Sequence, residues 1–218
     1  QPDVPTLEAW LCDTLNPGDR VGVNAAVFSI SGYADLEKAL KPKGIELVPW
    51  GWDLVDMVWG KAQPPMPSAP VRVLPDAVAG ETVAEKLGRM WQQLEATGAD
   101  AMLICALDEL AWAFNLRGAD IAFNPVFIGW GLVDRRGATL FTDLDRLEPA
   151  VREALPPSVQ LRPYHTIDEA CAELGAAEAK VWIDPVVGSK RLAVMLEKAG
   201  ASLHQATGPI PLWKAAKN

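Results

Sequence analysis

Apolar residues recur along this chain at two alternating spacings, and the alternation lays out its elements. Leu7, Trp10, Leu11 and Leu15 fall at the three-and-four spacing of one helix face, which Asn16-Pro17-Gly18 ends. Arg20 to Val23 reads as a strand. A second helix carries Leu36, Ala39 and Leu40, with Ser31 as its cap and Pro42 and Gly44 closing it before a strand at Ile45 to Val48. A short helix from Asp53 to Trp59 follows. The pattern then breaks at Lys61 to Pro70, where four prolines in ten positions favour an extended spacer of about 3.1 Å per residue.

Beyond that spacer the same alternation resumes. Thr82 and Glu85 form a capping box for a helix with Val83, Leu87, Met90, Trp91 and Leu94 inward, closed by Gly98. Ala101 to Ala106 is an apolar strand, and Phe127 to Val133 and Ala138 to Thr142 flank the hairpin turn Asp134-Arg135-Arg136-Gly137. Arg146 to Leu155 is helical up to Pro156-Pro157, and Gln160 to Tyr164 is a strand. Thr166 with Glu169 makes a second capping box for a helix reaching Leu174. Lys180 to Asp184, a helix near Ser189 to Ala199, and Ala201 to Gln205 bring this half to six strands. Strands alternating with helices predict an α/β fold, a mixed sheet with helices on both faces.

An internal repeat sets the domain boundaries. Arg20-Val21-Gly22-Val23-Asn24 aligns without a gap, 160 positions on, with Lys180-Val181-Trp182-Ile183-Asp184. Leu36-Glu37-Lys38-Ala39 aligns at the same offset with Leu196-Glu197-Lys198-Ala199, and after a short deletion Gly44 to Leu47 matches Gly200 to Leu203. A spacing this long points to duplication of a whole fold rather than a solenoid. The second copy has about 100 residues before its matching strand and the first only 19, so the first copy is expected to be truncated at its front and to expose a sheet edge that a neighbour, a second copy or a complementary fragment covers.

Leu107 to Phe127, LDELAWAFNLRGADIAFNPVF, organises the second half. Asp108 is placed to cap a short helix carrying Leu110, Trp112 and Phe114 that stops near Asn115; Gly118 permits a conformation closed to other residues, and Asn124-Pro125 forces extension. A tight loop therefore carries Asn115, Arg117, Asp120 and Asn124. These side chains either satisfy orphan backbone groups, with Arg117 paired to Asp120, or face a partner or ligand.

The composition removes several functions. A net charge of -8 and a pI near 4.8 argue against nucleic acid and anionic membranes, and no stretch approaches a membrane span. The start lacks a signal peptide, which reads as a cytoplasmic protein. Cys12, Cys105 and Cys171 lie in apolar periodic contexts and read as buried reduced thiols. His165 and His204 are the only histidines: the first reads as a surface or loop residue, the second as half exposed on a strand. Asp108 with Glu109, and Asp143 with Asp145, sit where helix starts are expected and need no catalytic explanation. Trp10, Trp91 and Trp112 read as core, whereas Trp50, Trp52 and Trp59 crowd the end of the first unit. No catalytic residue and no metal ligand set is assigned.

The 107–127 segment resembles, nearly position for position, part of the second domain of three-domain Xaa-Pro aminopeptidases, the aminopeptidase P family. Val21 to Asn24 and Leu54 to Trp59 look like the close of that family's first domain, and Trp213 to Asn218 like the lead-in to its catalytic domain. The resemblance implies tandem creatinase/aminopeptidase P amino-terminal-like domains: residues 1–62 a partial first domain, 63–75 a proline-rich linker, 76–208 a second domain, and 209–218 the approach to a catalytic domain beyond the chain. It implies a parent enzyme that releases an amino-terminal residue preceding proline, using two divalent metals, usually manganese, held in that later domain. This chain would then carry no cofactor. It would wall its own catalytic domain, restrict substrate entry and contribute to homodimer packing, with Asn115, Arg117, Gly118, Asp120 and Asn124 forming an interdomain or substrate-entrance loop. The alternative is an enzymatically inactive binding module of the same superfamily, peptide-binding or histone-chaperone-like. A creatine or dipeptide hydrolase fits less well, since those have a single amino-terminal domain.

Overall fold

A computed structural model describes residues 7–16, 19, 29–47 and 54–216. They fall into two compact units that divide between Met66 and Pro67, inside the proline-rich stretch. In the first unit, α1 (Leu7–Thr14) and α2 (Ile30–Leu40) bury Leu11, Leu36 and Leu40 together, with Cys12, Leu15, Ile45 and Leu47 packed around them. Trp10 is exposed, so the α1 face that packs is centred on Leu11 rather than shared with Trp10 as the periodicity predicts. Ser29, not Ser31, caps α2 by accepting from the Gly32 amide, and Ser31 meets the Ser29 hydroxyl instead. Ile45 to Leu47 belong to no strand, although the Tyr33 hydroxyl donates to the Leu47 carbonyl at 2.9 Å. α3 (Leu54–Trp59) matches the predicted short helix. The predicted strand at Arg20 to Val23, the exposed sheet edge it would create, and Trp50 and Trp52 lie outside the described residues.

The second unit opens with β1 (Arg72–Val73) and α4 (Asp76–Ala79), then α5 (Val83–Thr97) with the predicted capping box between Thr82 and Glu85 and a left-handed Gly98 at its end. β2 (Ala101–Ile104), α6 (Leu107–Ala113) and β3 (Leu116–Arg117) follow. After them come β4 (Trp130–Asp134), β5 (Gly137–Thr142), α7 (Pro149–Ala154), β6 (Val159–Pro163), α8 (Ile167–Ala176), β7 (Lys180–Ile183), α9 (Lys190–Ala199), β8 (Ser202–Gln205) and α10 (Ile210–Ala215). β1 and β3 pair as a small antiparallel ribbon. The main sheet is six-stranded in the order β6-β5-β4-β2-β7-β8, matching the six predicted strands. β4 runs antiparallel to β2 and β5, while the pairs β5 with β6, β2 with β7, and β7 with β8 are parallel.

Both faces of the sheet are covered, which is why β2 reads as a continuous apolar run rather than an alternation. Met102, Ile104, Val133, Leu140 and Trp182 join Leu87, Met90 and Leu94 of α5 and Leu110 of α6 in one core. The intervening Leu103, Leu132, Phe141, Val181 and Ile183 are buried as well. Trp91 lies on the exposed side of α5, and Trp112 packs half-buried against the core. Two predicted caps are absent. α6 begins after Ala106 with no side-chain cap, and Thr166 donates to the Pro163 carbonyl while Glu169 pairs with Arg162. The helix predicted from Arg146 starts only at Pro149, because Leu144–Arg146 forms a 3-10 turn.

The repeat seen in the sequence extends to the helix boundaries. Ser29 before α2 and Ser189 before α9 are both N-cap residues, 160 positions apart, and Gly44 and Gly200 both close their segments in the left-handed region. α8 and α9 pack so closely that a Cβ on Gly175 would lie 2.6 Å from the Ala199 carbonyl carbon. Gly175→Ala should therefore cost about 2 kcal/mol or more of stability in urea unfolding, since backbone cannot yield as a side-chain tip does; a loss under about 0.5 kcal/mol would show the two helices free to separate.

Candidate functional site

The 115–124 loop leaves α6 and returns to the sheet, and most of its polar groups turn inward. The α6 helix ends at Phe114, and Asn115 takes a left-handed conformation, φ 49°, one of the few that asparagine tolerates. Its side chain is buried. The Asn115 Nδ2 donates to the Glu81 carbonyl at 2.8 Å and to Asp76 Oδ1 at 3.0 Å, while Oδ1 accepts from Lys86 Nζ. Lys86 also donates to the Trp112 carbonyl at 2.9 Å and stands 4.3 Å from the Trp112 ring centroid. Burial pushes the Lys86 ammonium down to about 8, against the pull of Glu81.

Asp120 is the second anchor, and it does not pair with Arg117 as the spacing suggests. Its fully buried carboxylate accepts two guanidinium bonds from Arg146 and the Ile128 amide at 2.7 Å. Arg146 Nε in turn donates to the Ala69 carbonyl at 2.8 Å. Arg117 instead donates to the Ala111 and Leu116 carbonyls, both at 2.8 Å. Gly118 is required for contact rather than for an unusual φ: a Cβ there would meet the Phe127 Cβ at 2.6 Å and the Val126 carbonyl at 2.8 Å. Asn124 is exposed, and its backbone bridges to Ile121.

The turn between Ile121 and Asn124 is where the loop faces outward. Phe123 has φ 64° and a relative exposure of 107%, with Ile121 also exposed beside it. A left-handed aromatic held fully in solvent costs of order 1–3 kcal/mol in backbone strain and gains nothing from burial. The pinned base therefore presents an apolar tip, and the sequence reading missed it by weighing only the polar residues of the loop.

A second cluster lies at the start of α6. Lys214 of α10 pairs with Asp108, and the Trp213 ring sits 6.4 Å from that of Trp112, with Arg89 4.6 Å above Trp213. Glu109, one residue along, is only 7% exposed, and no hydrogen bond or ion pair satisfies its carboxyl among the described residues. Burial first, then Asp108, pushes it up to about 7, against a weaker opposing pull from Lys214. From its place at a helix start, the sequence explains Glu109 by capping and dipole compensation alone. Lys86 was legible in principle, because it shares the α5 stripe with Val83, Leu87 and Met90.

The remaining candidates are dispersed. His165 is exposed, and His204 is half-buried with its ring on edge to Trp182, centroids 5.3 Å apart. All three cysteines are free thiols; burial pushes Cys105 up to about 12 and Cys171 to about 11, so neither holds a ready thiolate. Among the described residues no three His, Cys, Asp or Glu side chains converge as a metal-binding set. No helix among them is long and apolar enough to cross a membrane.

The second unit is thus a six-stranded mixed α/β sheet with an inwardly tied loop. The chain belongs to the creatinase/prolidase N-terminal domain family, whose pattern matches residues 62–218. It is 36% identical over 222 residues to a protein of Neosartorya fischeri described as probable Xaa-Pro aminopeptidase P, covering 99% of this chain and 34% of that one. A Fusarium vanettenii protein of the same description is 42% identical over 177 residues, covering 80% of this chain and 29% of its own length. In structure the chain is similar to the X-prolyl aminopeptidase of Caenorhabditis elegans, described as a cytosolic enzyme with a di-nuclear active site, at TM-score 0.87 and 26% identity. That likeness covers 100% of this chain and 36% of that one. The chain thus spans about a third of the length of these relatives.

Two outcomes test the assignment of roles. Asp120→Ala strands the buried Arg146 charge and should cost about 3 kcal/mol or more in chemical unfolding, whereas Arg117→Ala should cost under about 1 kcal/mol. Glu109→Gln probes the sign of a buried charge. A carboxyl raised from 4.5 to about 7 on folding binds its proton more tightly in the folded chain, so its burden is absent below pH 4.5 and complete above pH 7. The variant should match the parent in unfolding free energy near pH 4.5 and exceed it at pH 8, by up to roughly 3 kcal/mol, in urea unfolding at the two pH values.

Proposed function

We propose that this chain forms the non-catalytic amino-terminal part of a dinuclear-metal Xaa-Pro aminopeptidase, an enzyme that releases an amino-terminal residue preceding proline. The observation that carries this reading is the nearly end-to-end alignment with Xaa-Pro aminopeptidase P relatives, of which the chain spans only about a third. The two metals, manganese by the same resemblance, would be held in the part of those enzymes that this chain does not match. Its own role is to wall the catalytic domain, to limit the entrance to unfolded amino termini, and to take part in dimer packing in a cytoplasmic enzyme. Residues 1–62 and 76–208 act as two tandem amino-terminal-like domains joined by the proline-rich linker.

The geometry refines which part of the loop would do this. Asn115, Asp120 and Gly118 hold the loop base, and Arg117 is spent on backbone carbonyls, so Phe123 and Ile121, with the exposed Asn124, are the side chains available to face the catalytic domain or the entering peptide. The 218-residue chain supplied with manganese should leave an Xaa-Pro peptide intact; turnover abolished by a chelator would overturn the assignment. In the full-length enzyme, Phe123→Ala should lower kcat/KM by about threefold or more with melting temperature unchanged, the signature of a lost contact rather than a lost fold.

A further inference from the structure

Among the described residues, one buried carboxyl with no hydrogen bond lies away from the loop. Glu109 opens on a small cavity at the carboxyl ends of β2 and β7, lined also by Ile104, Cys105, Asp184, Val187 and Gly208. The cavity measures about 10 Å³, room for one water-sized group. There the chain leaves β2 toward β4 on one side and leaves β7 toward β8 on the other, so the connections from two adjacent parallel strands diverge. Carboxyl ends of strands at such a switch are where open α/β sheets take ligands.

The neighbouring groups leave Glu109 without a counterion. Asp184 accepts the Val186 and Gly208 amides, each at 2.8 Å, and adds a second negative charge beside the cavity. Among the described residues the cation that acts on Glu109 is Lys214, which is paired with Asp108. Cys105 is a neutral thiol. Val186 and Val187 stand at 64% and 39% exposure on the β7 to α9 connection, an apolar surface with no charge of its own.

We propose that this crevice binds a primary alkylammonium group, its ammonium head against the Glu109 carboxylate and its methylene stem along Val187 and Val186. A water-sized cavity admits an ammonium and refuses the broad planar fork of a guanidinium. A metal ion would need a set of three or more ligands, and the described residues form none. A neutral alcohol fits the space and leaves the charge unanswered. The ammonium arrives either on a lysine side chain of another protein segment or on a free small amine.

The test is an amide-shift titration of the 218-residue chain with n-butylammonium at about pH 8, with n-butanol as the uncharged control. Saturable shifts confined to residues 104–110 and 184–188, half-complete at millimolar amine, are expected, with no matching response to n-butanol. At about pH 6 the affinity should fall about tenfold as Glu109 takes up its proton. Glu109→Gln should abolish the response while its spectrum stays folded, and Glu109→Asp should keep a weakened one. A capped lysine-containing peptide separates the sources: binding as tight as n-butylammonium assigns a protein lysine, and binding only of the free amine assigns a small molecule. No saturable shift at about pH 8, an equal response to n-butanol, or binding unaffected by Glu109→Gln would overturn the proposal.

Discussion

The buried Asp120–Arg146 pair is the constraint on which the second unit depends. A carboxylate with no solvent exposure survives only with its charge answered and its remaining lone pairs filled, and Arg146 and the Ile128 amide do both. The same guanidinium holds the Ala69 carbonyl, and the Arg146 carbonyl accepts the Val71 amide at 3.1 Å. One ion pair thus ties three distant stretches together: the entering chain, the 115–124 loop and the turn after β5. Thr142, whose hydroxyl donates to the Ile128 carbonyl at 2.8 Å, continues that bonding into the sheet.

Two other buried charges show the alternatives open to a protein interior. Lys86 keeps its proton in a buried setting because two carbonyl-type oxygens and the Trp112 ring surround it. Glu109 has none of these, and its carboxyl answers by holding its proton to about 7. The first charge fixes the end of α6 through Asn115, and the second faces a cavity of about 10 Å³. Both lie on or beside α6, the helix that Trp213 and Lys214 of α10 also clasp.

The family match and the likeness to the Caenorhabditis elegans enzyme establish the scaffold. What the scaffold offers is a rigid base with an apolar tip. Phe123 holds a left-handed conformation in open solvent, an arrangement that costs energy in the isolated unit and becomes favourable when the ring is covered.

The sequence by itself determined the succession of elements, because helix and strand periods, prolines and left-handed glycines act over a few residues. All six strands of the main sheet, the capping box at Thr82 and the left-handed close at Gly98 were readable in that way. Local signals erred where two residues compete for one role: Ser29 displaced Ser31, Glu169 was drawn to Arg162 instead of a cap, and Trp91 turned outward although its neighbours packed. The tertiary structure alone decided which charges are buried and with whom. Arg117 lies three residues from Asp120 and Arg146 lies twenty-six away, yet the distant arginine takes the carboxylate, since pairing inside a core follows the packing of strands and not the spacing along the chain.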